Sequence, residues 1–266
     1  MGSLLINVFT KPPPQLPNDN IILKFTFLNF QYIYKMHIEQ QQSLLPVENL
    51  DIYNDASETN QLRKHGELFP NSCRFLFAGP SGCGKSNALL SLLFQPNGLR
   101  FENVYIYSKS LYQPKYQLME QVLKSVTGIG YFPFKENEDI INPNDAHKNS
   151  IFIFDDVVGD KQDKIKAYYA MSRHRSIDCA FLCQTYVMAG KHIIRDSSNV
   201  IVLFRQDDTN LKHAFDEHVS PDMSYDTFKE LCAHCWNDNF GFIVIVKDFD
   251  IANGRYRKGF DKYITL

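Results

Sequence analysis

Eight consecutive residues carry the plainest chemistry in the chain. Gly79-Pro80-Ser81-Gly82-Cys83-Gly84-Lys85-Ser86 follows G-x-x-x-x-G-K-[ST] at every fixed position. Glycines at 79, 82 and 84 let the backbone take positive φ and come close to phosphate oxygens. The amides of the loop then converge as an anion nest, backed by the N-terminus of the helix that follows. Lys85 brings a point charge to the β- and γ-phosphates, and the Ser86 hydroxyl enters a Mg²⁺ shell. A nucleoside triphosphate with Mg²⁺ is the expected ligand, ATP foremost.

Two further clusters fit hydrolysis of that ligand. The apolar run Ile151–Phe154 ends in Asp155 and Asp156. In a phosphate-loop protein the first acid of such a strand holds Mg²⁺, and a second acid can orient and deprotonate the attacking water. Asp155 is therefore expected at the metal and Asp156 at the water. The run Ala180–Cys183 ends in Gln184. Ligands of open parallel sheets sit at the carboxyl ends of strands, so this amide should face the γ-phosphate as a sensor. Charge on a transferring phosphoryl group is often met by an arginine supplied in trans. Arg173 and Arg195 stand as candidates on either side of the sensor strand, with Arg175, Arg205, Arg255 and Arg257 also available. Spacing alone does not choose among them.

These residues need elements to hold them. Short unalternating apolar runs recur at Phe75–Ala78, Val104–Tyr107, Ile151–Phe154, Ala180–Cys183, Val200–Phe204 and Phe242–Val246. Such runs suit strands buried on both faces. Helix-length stretches lie between them, among them Asn87–Phe94, Lys161–Met171 and Asn210–Val219. Strand–helix alternation predicts an α/β domain with a mostly parallel sheet covered on both sides. Asn253-Gly254 between two apolar stretches predicts a C-terminal β-hairpin with a two-residue turn.

The first sixty or so residues read differently. Pro12–Pro14 and Pro17 form a stiff extended segment, Lys24–Phe27 alternates like a strand, and Gln40–Gln42 break any pattern. The expected division is an extension over 1–61 and an ATPase domain over 62–266.

Composition sets the limits. The chain has 266 residues, 44% of them hydrophobic, enough to fill a core. No apolar run reaches the roughly 18 residues of a membrane span. Six scattered cysteines suit buried thiols in a reducing intracellular compartment better than a disulfide framework. Cys232-Ala-His-Cys235 is a lone CxxC without the partners of a zinc site. Formal net charge is −2, which argues against a protein coating nucleic acid with its whole surface. There is neither an N-K-x-D base-reading motif nor an L-S-G-G-Q stretch, which argues against GTPases and ABC ATPases.

Together these residues resemble a viral genome-packaging ATPase of the FtsK–HerA superfamily, in particular the poxvirus-type ATPases of Polinton/Maverick elements and adintoviruses. The resemblance rests on Arg74–Ser86, Asn97–Ser110, Ile151–Asp156, Arg173-His174, Gln184–Tyr186 and Asn253–Lys258, and covers about 62 to 266. It implies a RecA-like core, a pentameric or hexameric ring, and ATP-driven pumping of double-stranded DNA through a capsid or procapsid vertex. It also implies action in the host nucleus or at a viral assembly site. It places Lys85 and Ser86 on nucleotide and metal, Asp155 and Asp156 at the acidic motif, and Gln184 as sensor. Many superfamily members carry Glu as the second acid, where this chain has the shorter Asp156.

Charge patterning suggests how DNA is held. Residues 161–175 carry five basic groups against Asp163, with Tyr168 and Tyr169 interleaved, and residues 255–262 carry four against Asp261. Residues 207–230 carry seven acidic groups against two basic. Opposed patches fit a ring with a positive lumen making sparse phosphate contacts. Two alternatives stand beside this reading. One is another phosphate-loop ATPase, such as a helicase or assembly ATPase. The other is a decayed or domesticated ATP-binding module without turnover.

Overall fold

The computed structural model describes residues 21–27, 30–36 and 64–265. The chain divides between Thr59 and Asn60 into two compact units. In the first, β1 (Ile21–Phe27) and β2 (Phe30–Met36) pair antiparallel, with Ile21 opposite Met36 and Phe27 opposite Phe30. The expected strand at Lys24–Phe27 lies within β1. The proline segment and Gln40–Gln42 lie outside the described residues.

The second unit is a nine-stranded sheet in the order β11-β10-β9-β8-β3-β7-β6-β4-β5. Its strands are β3 (Arg74–Ala78), β4 (Asn103–Ser108), β5 (Gly130–Phe134), β6 (Ser150–Asp155), β7 (Ile177–Cys183), β8 (Val200–Leu203), β9 (Ile243–Val246), β10 (Tyr256–Lys258) and β11 (Lys262–Ile264). From β8 to β5 every pairing is parallel. From β8 through β11 every pairing is antiparallel.

Burial on both faces explains why the central strands read as unbroken apolar runs. Phe75, Phe77, Ile151, Ile153, Ala180 and Leu182 point to one face, where α1 (Lys85–Phe94) and α2 (Pro114–Ser125) cover them with Leu89, Leu92, Tyr116 and Met119. The alternate residues Leu76, Phe152, Phe154, Cys179 and Phe181 point to the other. There they meet α3 (Asp163–Arg175), α4 (Asp208–His218) and α5 (Tyr225–Cys235). Side-chain caps start the last two helices, Asp207 accepting from the Asn210 amide and Ser224 from the Thr227 amide.

All six predicted strands and all three predicted helices are present. Two elements have weaker sequence signals. β5 contains Pro133, which a ladder tolerates because β5 is the sheet edge. α2 opens on Pro114 at its first turn and buries only Tyr116, Met119 and Leu123.

The C-terminal hairpin exists, but its turn is not at Asn253-Gly254. Those residues close a 3₁₀ turn (Ile251–Asn253) in the longer β9–β10 connection, with Gly254 at φ 91°. The tight reversal is Gly259-Phe260-Asp261 between β10 and β11, with Gly259 at φ 67°. The dipeptide rule depends on strands reaching the turn, and here β9 stops well short of it.

All six cysteines are free, and every one but Cys83 is buried. Cys232 and Cys235 sit in the core face of α5. Among the described residues the one cluster of metal-type donors is His65, Cys73 and Asp178. It works as a clamp. The buried Asp178 carboxylate on β7 accepts from the Cys73 amide (2.8 Å) and Lys64 (2.9 Å), with His65 Nε2 3.0 Å away. Burial tends to raise this carboxyl, but His65 and Lys64 together hold it below the usual carboxylate range. The segment entering β3 is thereby tied to β7.

Candidate nucleotide-binding and hydrolysis site

Strand order decides what meets at the carboxyl end of the sheet. β3 delivers the phosphate loop, and β7 lies between it and β6. The ends of β7 and β6 therefore bring Gln184 and Asp155-Asp156 to the same flank of the loop. A cleft of about 740 Å³ opens there, lined by Ser81, Gly82, Gly84, Lys85, Ser86, Asp155, Asp156 and Gln184 among others.

The loop glycines have distinct reasons. Gly82 and Gly84 adopt φ 77° and 103°, which any side chain would strain. At Gly79 the constraint is space, since a Cβ would lie 2.5 Å from Phe204 Cβ and 2.6 Å from Cys83 Sγ. Gly84 caps α1 from the left-handed region, which turns the first helical amides toward the cleft. Lys85 folds back over the loop and donates to the carbonyls of Gly79 (2.5 Å) and Pro80 (2.9 Å).

The acidic residues differ in setting. Asp155 is buried and accepts a hydrogen bond from the Tyr116 hydroxyl. Burial pushes its carboxyl up, while the ammonium groups of Lys115 and Lys85 pull it back down and Asp156 adds to the rise. Asp156 takes φ 60°, a left-handed conformation rarely held by a residue other than glycine and found preferentially at functional sites. Ser110, just beyond β4, donates to its carboxylate at 2.8 Å and fixes its direction.

Lys115, from the first turn of α2, is the residue sequence reasoning missed. Its Nζ lies 2.7 Å from Ser86 Oγ and 3.7 Å from Asp155 Oδ2. A cation thus bridges the very hydroxyl and carboxylate expected to share Mg²⁺, a stand-in showing that these oxygens suit a positive charge. Serine and aspartate oxygens are also the hard donors Mg²⁺ prefers. Lys115, Tyr116 and Ser110 carry no motif. Their roles come from α2 and the β4 end being folded against β6.

The arginine candidates separate cleanly. Arg195 is buried, does not line the cleft, and pairs with Glu217 at 3.1 Å over the Tyr186 ring. Arg257 is fully buried and donates to the carbonyls of Gly254, Leu68 and Phe260. Arg255 is taken by Asp222 and by the carbonyls of Lys247 and His218. Arg175 reaches Asn144. Arg195, Arg255 and Arg257 are thus held by partners within the fold, which corrects the expectation for Arg195, whereas the Arg175 contact is exposed. Arg173 and Arg205 are exposed, and neither forms an ion pair among the described residues. Arg173 lies in the last turn of α3, which runs back from the cleft end of β6 to the opposite end of the sheet.

The basic patches change as well. Tyr168 and Tyr169 are core residues whose hydroxyls bond the carbonyls of Ile141 and Phe75. Lys164 is spent on the carbonyls of Glu138 and Ile140. Of the 255–262 patch, Arg257 is buried, Arg255 is half-buried against Asp222, and Lys258 pairs with Asp238 at 2.8 Å.

Residues 60–219, from before β3 to beyond α4, match the family described as Poxvirus A32 protein. The chain belongs to that family. This bears out the resemblance to poxvirus-type viral packaging ATPases that the motifs carry, since the matched span contains the phosphate loop, Asp155-Asp156 and Gln184. No curated protein sequence matches the chain. Among solved structures it is similar to the genome packaging NTPase B204 of Sulfolobus turreted icosahedral virus 2. The sulfate complex is 12% identical and aligns over 73% of this chain and 98% of that one, with TM-score 0.48. The ATPγS complex is 9% identical over 73% and 98%, with TM-score 0.46. The AMP complex is 10% identical over 66% and 94%, with TM-score 0.44.

Proposed function

We propose that this protein is an ATP-hydrolysing motor that translocates double-stranded DNA into a viral capsid, working as a ring of identical subunits. The observation that carries the hydrolytic part is the Lys115 ammonium between Ser86 and Asp155, in one cleft with the phosphate loop, Asp156 and Gln184. Mg²⁺, when bound with the nucleotide, would neutralise phosphate charge between Ser86 and Asp155. The chain's own groups supply the rest. Loop amides and Lys85 hold the phosphates, and Asp156, aimed by Ser110, takes the proton of the attacking water. Gln184 stands where an amide touches both that water and the terminal phosphate.

Family membership supports the packaging role. Arg173 is exposed and does not line its own cleft, which leaves it available to a neighbouring copy's nucleotide. The seven acidic groups of 207–230 and the exposed cations Lys161 and Arg173 lie on different elements, in keeping with opposed surfaces.

The test is ATP turnover of the full chain with and without duplex DNA, alongside the mass of the assembly. Wild type should hydrolyse ATP faster on duplex DNA as a ring. Lys85→Ala should lose binding and turnover, and Asp156→Asn should bind yet turn over 10²- to 10⁴-fold more slowly, the range for removing a general base. A well-formed ring whose turnover ignores DNA would sink the translocase reading.

A further inference from the structure

One aromatic side chain at the mouth of the cleft has no part in the phosphate chemistry. Phe240, in the connection between α5 and β9, is 65% exposed and lines the same cleft as Lys85 and Asp155. Its backbone is held at φ 61°, a conformation that costs a bulky residue roughly 1–3 kcal/mol. Neither feature comes from a slack loop. The Trp236 indole donates to the Leu203 carbonyl at 2.9 Å, and the Phe242 ring packs on Phe204 with centroids 5.0 Å apart. Gly241 is wedged so closely that a Cβ there would lie 2.3 Å from the Cys235 carbonyl oxygen. A rigid frame on both sides thus holds a strained phenylalanine out toward solvent.

Its position relative to the phosphate loop is specific. A Cβ at Gly84 would stand 3.3 Å from Cβ and Cδ1 of Phe240 and 3.6 Å from Phe204 Cε1, so the ring packs directly against the loop. β7 and β6, with Gln184, Asp155 and Asp156, flank β3 on one side, and β8 with Phe204 flanks it on the other. The hydrolytic groups mark the end of the cleft that takes the terminal phosphate. A triphosphate laid along the loop from that end directs its nucleoside toward the β8 flank, where Phe240 stands.

We propose that Phe240 is the platform on which the nucleobase of the bound nucleotide stacks. An exposed aromatic face offers a base the π-contact that the polar phosphate end cannot. The inference rests on the nucleotide-binding reading above and adds to it the residue that holds the base.

Binding of Mg²⁺–ATPγS and of inorganic tripolyphosphate to the full chain, measured by titration calorimetry, separates the two. Asparagine tolerates the left-handed backbone, so Phe240→Asn removes the ring without adding strain. Phe240→Asn should weaken ATPγS roughly 5- to 100-fold, the range for losing one base–aromatic stack, and leave tripolyphosphate within about twofold. Phe240→Trp should bind ATPγS at least as tightly as wild type, and Lys85→Ala should lose both ligands. Unchanged ATPγS affinity in Phe240→Asn overturns the platform. So does an equal loss of both ligands, which would make the ring a prop for the loop. Wild type that binds neither ligand overturns the nucleotide reading itself.

Discussion

At the residue scale the site is built from pairs in which one member aims another. Ser110 aims Asp156, Tyr116 and Lys115 hold Asp155, and Lys85 waits on its own loop carbonyls. The Lys115 ammonium competes for the oxygens that Mg²⁺ would use. Replacing it in Lys115→Met should therefore tighten divalent-ion binding in the presence of ATPγS on the order of tenfold, about the strength of a charge-assisted hydrogen bond. Calorimetric titration with Mg²⁺ reads this directly, and weaker binding would show that Lys115 supports the site instead of competing within it. The motif residues were legible because phosphate chemistry demands fixed types at fixed spacing. Lys115 and Phe240 were not, because nothing local requires a lysine or a phenylalanine at those places.

At the element scale, the connection from β7 to β8 is locked to α4 through one polar cluster. The Tyr186 hydroxyl donates to Glu217 at 2.6 Å and lies 2.7 Å from His218 Nε2, while Arg195 pairs with Glu217. Burial, with the charges of Lys247, Arg195 and Arg255, pushes the His218 imidazole down to about 3. The folded state thus refuses a proton that the unfolded chain accepts near 6.5. The stability this residue contributes is present above pH 6.5 and is lost as pH falls from 6.5 toward 3. Urea melts at pH 7 and pH 5 should show a smaller acid loss for His218→Gln than for wild type, and equal losses would disprove the assignment. Element existence was readable from apolar runs. The turn at Gly259–Asp261 was not, because where β9 ends depends on its partner strands.

At the scale of the whole molecule, charge must be read on the surface and not along the chain. The runs at 161–175 and 255–262 contain nine cations against two anions, yet Arg257 is buried, Arg255 is half-buried against Asp222 and Lys164 binds carbonyls. Arg173 and Arg205 remain as exposed arginines without an ion pair among the described residues. In the ring proposed above, Arg173 is the arginine assigned to a neighbour's nucleotide. Arg173→Ala should then lower turnover on the order of a thousandfold, the scale of an arginine finger. Mixing Arg173→Ala with Asp156→Asn subunits should restore part of the activity, because some interfaces then pair an intact arginine with an intact carboxylate. Mixtures no more active than either variant alone would rule Arg173 out.

The sequence by itself determined the phosphate loop, the two aspartates at a strand end, the Gln184 amide at the end of another and the α/β class. Each of these depends on local requirements: glycine dihedrals, apolar runs buried on both faces, polar residues where strands stop. Only the tertiary structure decided that β7 lies between β3 and β6 and so brings Gln184 and Asp155 to one flank. It alone placed Lys115 between Ser86 and Asp155, hid Arg195 behind Glu217, and turned Tyr168 and Tyr169 from a DNA-facing stripe into core. Those outcomes depend on which surfaces pack together, and packing is set by the whole chain's burial of apolar area, not by any stretch of neighbours.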